Sequence, residues 1–167
     1  EGLHPAILDM ASELHPGGSY ATGSTSQEED LCRRSDILKY LWTLKYPLSK
    51  GSGVYLPQVS VFRHGRECDY GWMESVATVS VLVVAAVRNP EVVIQDEKPR
   101  LSEADEKETT RAIWTCLEMA RSHGHNAVVL GAFGCGAFNN PPDHIALIFQ
   151  KVINNHFLGF FTKITFA

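Results

Sequence analysis

Hydrophobic positions along this chain fall into short strand-length runs separated by stretches with helical spacing. Pro5–Met10 reads as a short buried strand that opens into a glycine-containing turn. Ser26 is placed to cap a helix, with Glu29 three residues later completing a capping box, and that helix is expected to run to about Leu44. Tyr46–Gly53 carries Pro47, Gly51 and Gly53 and reads as a loop. Val54–Phe62 is β-branched and aromatic, a strand; polar Arg63–Trp72 is its turn or hairpin tip. Val76–Val87 is valine-rich without polar alternation, the pattern of a strand covered on both faces. Arg88–Arg100, bounded by Pro90 and Pro99, is expected to be a loop. Ser102–Ser122 is the clearest helix: Ser102 and Asp105 suit a second capping box, and Gly124 follows the last turn. Its apolar stripe is expected from Ala112, Leu117 and Ala120 with Ile113 and Trp114. Ala127–Phe133 reads as a buried strand, Pro142–Asn155 as a helix and Phe160–Phe166 as a closing strand.

Strands alternating with helices predict an α/β sheet with helices on both faces. Ligands in such folds sit beyond the carboxyl ends of strands. Two glycine-bearing loops here follow strands, so both can reach one crevice. A length of 167 residues suits one domain, residues 1–167, with a substantial core. A net charge of −4 argues against a protein that grips nucleic acid by bulk electrostatics. The longest apolar run, Val79–Val87, is strand-sized, so no membrane partner is expected. The start of the chain lacks the basic-then-apolar pattern of a secretory signal. Cys32, Cys68, Cys116 and Cys135 show no CxxC or zinc-finger spacing. An intracellular, reducing location, cytoplasm or nucleus, is the expectation.

Candidate chemistry concentrates in two places. The first is Pro16-Gly17-Gly18-Ser19, followed after a short spacer by Ser26-Gln27-Glu28-Glu29. Glycines let a backbone approach a bulky anionic ligand, and a helix start offers free N–H groups. A glutamate there can donate a proton to a leaving group or hold a sugar hydroxyl. The plain alternative is that Glu28 and Glu29 only cap a helix and complement its dipole. The second place is Gly131 to Pro141, with the pattern GxxGxG after a strand. It is neither a dinucleotide fingerprint nor a nucleoside-triphosphate phosphate loop, and no lysine follows. Taken alone it is equally a tight turn with small-residue packing.

Together these segments resemble the microbial-type poly(ADP-ribose) glycohydrolases, a branch of the macrodomain superfamily. The family signature is a glycine triplet, a spacer of six to eight residues, then Gln-Glu-Glu. Leu130-Gly131-Ala132-Phe133-Gly134-Cys135-Gly136-Ala137-Phe138-Asn139-Asn140-Pro141 is similar to its diphosphate-binding loop, and Leu31–Ser35 and Gly53-Val54-Tyr55 also fit. The resemblance implies a macrodomain-like three-layer α/β/α fold with a mixed central sheet. It implies cleavage of ribose–ribose O-glycosidic bonds in poly(ADP-ribose), releasing ADP-ribose, with no cofactor and no metal. Two alternatives stay open: removal of single ADP-ribose groups from protein or nucleic acid, and a non-catalytic ADP-ribose-binding module.

By resemblance Glu29 is the catalytic acid and Glu28 its substrate-holding neighbour. Adjacent helical residues point about 100° apart, so they cannot flank a glycosidic bond as paired glycosidase carboxylates do. Glu29 is therefore expected to protonate the departing ribose oxygen while Glu28 holds sugar hydroxyls and water attacks an oxocarbenium-like centre. Gly17, Gly18, Ser19 and Gln27 complete the first motif. Gly134, Cys135, Gly136 and Ala137 offer backbone N–H groups to the diphosphate, and Phe138 packs on the ribose. Asp9 and Ser12 lie where macrodomains carry ribose-contacting polar residues; Asp9 reads equally as a carboxylate at a strand end. Tyr55 is a candidate for packing on adenine or ribose, against the alternative of a core tyrosine. Arg33 and Arg34 are either a phosphate clamp or surface partners. His123-Gly124-His125 suggests a metal only weakly, and both histidines are expected at the surface. The sequence departs from the family at Ser19, where the third glycine stands. It also begins almost at the first motif, where family members carry an N-terminal helical extension.

Overall fold

The computed structural model describes residues 2–167. Its main sheet has the order β2-β3-β1-β6-β7. In chain order these strands are β1 (Pro5–Ala11), β2 (Gly53–Arg63), β3 (Trp72–Ala85), β6 (Ala127–Leu130) and β7 (Lys163–Phe166). The helices are α1 (Gln27–Arg34), α2 (Ile37–Leu41), α3 (Glu103–Ser122) and α4 (Pro142–Val152). Strand β1 pairs in parallel with β3 and β6, and β6 with β7, while β2 and β3 form an antiparallel hairpin. The sheet is therefore mixed. One face packs Leu8, Leu82, Val84, Val128 and Leu130 against α3 and α4; the other packs Ala11, Val81 and Val83 against α1 and α2. Strand alternation separates the two sets. Among the described residues no helix is long and apolar enough to cross a membrane.

Parallel pairing sends the ends of β1, β3 and β6 to one edge. Because β3 and β6 flank β1, their exit loops meet across its end. Asn140, almost fully buried, ties them there: its side-chain amide donates to Val87 O at 2.8 Å and Gly134 O at 3.0 Å. The backbone N–H of Asn89 donates to Phe138 O at 3.0 Å.

The structure corrects several sequence expectations. The helix from Ser26 does not reach Leu44. It breaks at Ser35, whose backbone is extended and bridges Val61 on the edge strand β2. Asp36 Oδ1 then accepts from Ser60 N at 2.8 Å, and a new helix starts at Ile37. Pairing with a free strand edge outweighs helix continuation here. Residues 88–100 are not all loop: β4 (Val92–Gln95) and β5 (Lys98–Leu101) form a hairpin. Its two turn residues, Asp96 and Glu97, have φ of 50° and 60°, the left-handed pair of a tight hairpin turn. Only the second half of β3 is covered; positions 72–78 are mostly exposed, in an arm shared with β2. On α3, Trp114 faces outward and Thr109 and Cys116 take buried positions instead. Ser102 Oγ accepts from Asp105 N at 3.4 Å, but Asp105 returns its carboxylate to Glu91 N, so that capping box is half formed.

His125 is fully buried, contrary to the expectation for the His123–His125 pair. Its Nε2 lies 2.9 Å from Tyr55 OH and its Nδ1 3.2 Å from His4 O. The His4 ring stacks on it, and His123 stacks on Tyr55. Burial holds the His125 pKa below the ordinary imidazole value, and the neighbouring His4 and His123 push the same way. The unfolded chain thus binds a proton that the folded one refuses, so this contribution to stability is lost as pH falls through about 6.5. Thermal melts at pH 7 and pH 5 are expected to show a smaller acid-side loss in His125→Gln than in the parent.

Candidate functional site

The site is built on β1 and α1. Asp9 points to the α1 face of the sheet and is fully buried, with neither carboxyl oxygen hydrogen-bonded. Past Ile7, where β6 no longer pairs with β1, the Gln27 side chain takes over. Its Oε1 accepts from Met10 N at 2.8 Å and its amide donates to Leu8 O at 2.6 Å. Gln27 thus fastens the start of α1 to the strand, a structural part for a residue expected to bind substrate.

Glu28 and Glu29 are nearly buried, at 3% and 6% exposure. Glu28 accepts from Ser12 N at 2.7 Å and from Gly17 N at 3.1 Å. Glu29 Oε1 accepts from Ser19 N at 2.9 Å, while its Oε2 is buried without a hydrogen-bond partner. The expected Ser26–Glu29 capping box is absent: the Ser26 side chain makes no cap bond. The Glu29 carboxylate turns to the glycine turn instead, where three backbone N–H groups converge on the two acids. Ser12 Oγ accepts from the N–H groups of Leu14 and His15, both at 3.3 Å, and shapes the same turn.

The glycines are set by this arrangement. Gly17 and Gly18 have φ of 74° and 56°, a region that side chains disfavour. A Cβ on Gly18 would stand 2.6 Å from Glu29 Oε1 and 2.9 Å from Glu28 Oε2. Ser19 has φ of −100°, which any residue adopts, so serine at the third position strains nothing.

Crowded carboxyls resist ionisation. Burial, with Glu28 and Glu29 adding to it, raises the Asp9 pKa well above the ordinary range. Burial raises Glu28 to about 7, against the pull of the Ser12 and Gly17 N–H groups. Two side chains not singled out in the sequence complete the cluster. Burial drives up the Cys32 thiol, with Asp9, Glu28 and Glu29 reinforcing it. The Tyr46 phenol is likewise raised by burial, then by Glu28 and Asp9, and its hydroxyl has no partner. Nothing in local sequence marks Tyr46, which arrives from the loop after α2.

The second loop emerges from β6, the strand beside β1. Its glycines differ in role. Gly134 has φ of 73°, and a Cβ there would lie 2.6 Å from the Asn140 amide and 2.7 Å from Ala86, so packing requires it. Gly136 has nothing within 4 Å of its added Cβ. Among the described residues, the N–H groups of Gly136, Ala137 and Phe138 donate to no protein acceptor. Cys135 is half-buried with its N–H committed to Ala132 O at 2.9 Å, so it offers no free donor. Phe138 is half-buried, with the Arg88 guanidinium 5.6 Å from its ring centroid.

Tyr55 does not join these residues. It packs on the α3 face, bonded to Ser80 and His125, in the core role of its two readings. Arg33 donates to Ser24 O at 2.6 Å and Arg34 pairs with Asp30 at 3.3 Å. Among the described residues no group of three or more His, Cys, Asp and Glu side chains is arranged to hold a metal ion. A cavity of about 70 Å³ lies at the same sheet edge, among Glu13, Lys50, Ala86, Arg88 and Glu108, apart from the carboxylates.

The microbial-type PARG catalytic domain profile matches residues 1–64, the segment that holds the carboxylates and their turn. The whole chain superposes on a poly(ADP-ribose) glycohydrolase from Thermomonospora curvata, with 31% identity and a TM-score of 0.79. Over its whole length the chain is similar to the microbial-type poly(ADP-ribose) glycohydrolases. It spans 63% of that Thermomonospora chain. A second Thermomonospora structure, bound to the inhibitor ADP-HPD, matches at 31% identity and a TM-score of 0.79 over 100% of this chain and 65% of its own. The Deinococcus radiodurans poly(ADP-ribose) glycohydrolase in complex with ADP-ribose matches at 27% identity and a TM-score of 0.74, covering 97% of this chain and 66% of its own. No curated protein matches in sequence.

A carboxyl whose pKa is raised on folding binds extra protons in the folded state, so stability falls as pH rises through the shifted range. Asp9→Asn is expected to melt several degrees above the parent at pH 9 and to converge with it near pH 5. Each kcal/mol is worth about 2–4 °C at this size. Melting curves across that range check it.

Proposed function

We propose that this chain is a poly(ADP-ribose) glycohydrolase that cleaves ribose–ribose O-glycosidic bonds and releases ADP-ribose. The observation that carries the reading is the Glu29 carboxyl. It is nearly buried, fixed through Oε1 by Ser19 N, and holds Oε2 free beside the glycine turn. A mere cap or dipole partner would spend both oxygens on the helix start. The Thermomonospora relative binds the inhibitor ADP-HPD and the Deinococcus relative binds ADP-ribose, which supports the same ligand class here.

In this reading Glu29 gives a proton from Oε2 to the departing ribose oxygen. Glu28, each oxygen already holding one backbone donor, keeps lone pairs for sugar hydroxyls. Burial raises Glu28 to about 7, so a carboxyl proton is exchangeable near neutrality beside the acid, which suits the protonation step and then the activation of water. The open N–H groups of Gly136, Ala137 and Phe138 hold the diphosphate, and Phe138 steadies the ribose. Asp9, on β1 beneath the two glutamates, acts through its charge and proton. Substrates are the polymer or ADP-ribosylated macromolecules, and an intracellular location follows from that chemistry.

Incubation with poly(ADP-ribose) and with mono-ADP-ribosylated protein is expected to release ADP-ribose from the first. Glu29→Gln keeps the acceptor for Ser19 N and removes the acid. It is expected to lower turnover by about 10²–10⁴-fold with a near-parental melting temperature. A fully active Glu29→Gln enzyme refutes the assignment.

Gly136→Val separates ligand from packing, because its side chain enters open space. The expected result is an unchanged melting temperature with weakened ADP-ribose binding by titration calorimetry. Parental affinity removes this loop from the site.

A further inference from the structure

A strip of arginines and aromatic rings leads away from the carboxylates along α1 to the exposed tip of the β2–β3 arm. It starts at the glycine turn, where the Arg33 guanidinium lies 5.4 Å from the ring centroid of Tyr20. Asp30, the residue after Glu29, accepts from Tyr70 OH at 3.0 Å, which pins the arm to the helix that carries the acids. Arg33 and Arg66 are both near enough to that phenol to act on it electrostatically. Farther out, the Arg63 guanidinium sits 4.3 Å over the Trp72 ring, and Trp72 is 69% exposed. Arg34 joins the pieces, bonding Asp30 on the helix and Arg63 O on the arm.

The chemistry of the strip is specific. A large exposed indole costs solubility and contributes nothing to the core. Aromatic rings interleaved with guanidinium groups suit a ligand that alternates flat bases with phosphates. Asp30 pairs with Arg34 and accepts from Tyr70, which leaves Arg33, with one N–H on Ser24 O, and Arg66, beside Glu67 and Asp69 at the arm tip, as the remaining guanidinium groups of the strip.

We propose that this strip is a docking track for the adenosine-diphosphate units of poly(ADP-ribose) beyond the one in the cleft, with bases stacking at Trp72 and Tyr20 and diphosphates on Arg33 and Arg66. The proposal rests on the activity proposed above. A track fixed to α1 orients a long chain so that its terminal bond meets Glu29. Single-stranded nucleic acid shares the alternation of base and phosphate, but the continuity of the strip with the carboxylates favours the polymer.

The test uses the Glu29→Gln background, so that chains are bound and not cut. Long poly(ADP-ribose), free ADP-ribose and a single-stranded adenylate oligomer of matched length are the probes. Trp72 and Arg66 are both exposed, so their alanine variants are expected to fold as the parent does. The double variant Trp72→Ala, Arg66→Ala is expected to lose about tenfold or more in affinity for the long chain, with a shallower salt dependence and unchanged affinity for ADP-ribose. Unchanged long-chain affinity overturns the track alone. An equal loss for ADP-ribose overturns it by making the strip part of the cleft. Adenylate binding as tight as polymer binding makes it a nucleic-acid surface. A parent that binds neither ADP-ribose nor the polymer overturns the activity and the track together.

Discussion

Three carboxyl groups buried under one short helix are the constraint around which this molecule is arranged. Asp9, Glu28 and Glu29 are removed from water beside one another in space, which costs free energy unless each is hydrogen-bonded or protonated. The protein answers with backbone donors. Ser12 N, Gly17 N and Ser19 N all point at the glutamates, and the chain reaches those positions only by passing through two left-handed residues. Gly17 and Gly18 follow from that path. So does the helix start at Gln27, which must carry both acids inward while its own first residue bonds the strand.

The cost that remains is the source of the chemistry. Asp9 finds no hydrogen-bond partner, and burial, with Glu28 and Glu29 beside it, holds its proton well above the ordinary carboxyl range. A buried carboxyl raised to about 7, as burial raises Glu28, is suited to acid–base work near neutrality. The same burial explains why Glu28 and Glu29 sit side by side on a helix rather than across a cleft. They are not two walls of a glycosidase groove. One acid faces the turn with a free oxygen, and the other is held by the backbone on both of its oxygens.

Much of this was legible in the sequence, and the failures are instructive. The strand before the turn, the glycine pair, the adjacent acids and the long α3 helix carry local signals: β-branched runs, positive-φ residues, an N-cap. The Ser26–Glu29 capping box misled because a capping pattern and a buried pair of acids share one spelling; only the position of Ser19 N separates them. The helix break at Ser35 depends on the free edge of β2, a partner far along the chain. Tyr46 reaches the acids from a loop with no motif. Tyr55 fitted a ligand-facing strand by resemblance, yet strand alternation places it on the α3 face with a buried histidine. The hairpin at Asp96-Glu97 lacks the glycine or asparagine that usually announces such a turn. In each case a long-range contact overrode a local rule.

The Gln27 amide joins α1 to β1 as though it were one more rung of the sheet. An eight-residue helix is too short to persist in water by itself. Its first turn therefore exists only while β1 is paired, and β1 is the central strand of the five. The acids cannot be assembled on a fragment or kept by a half-opened sheet. Assembly of the buried acids and pairing of the central strand are thereby tied to one another through a single side-chain amide.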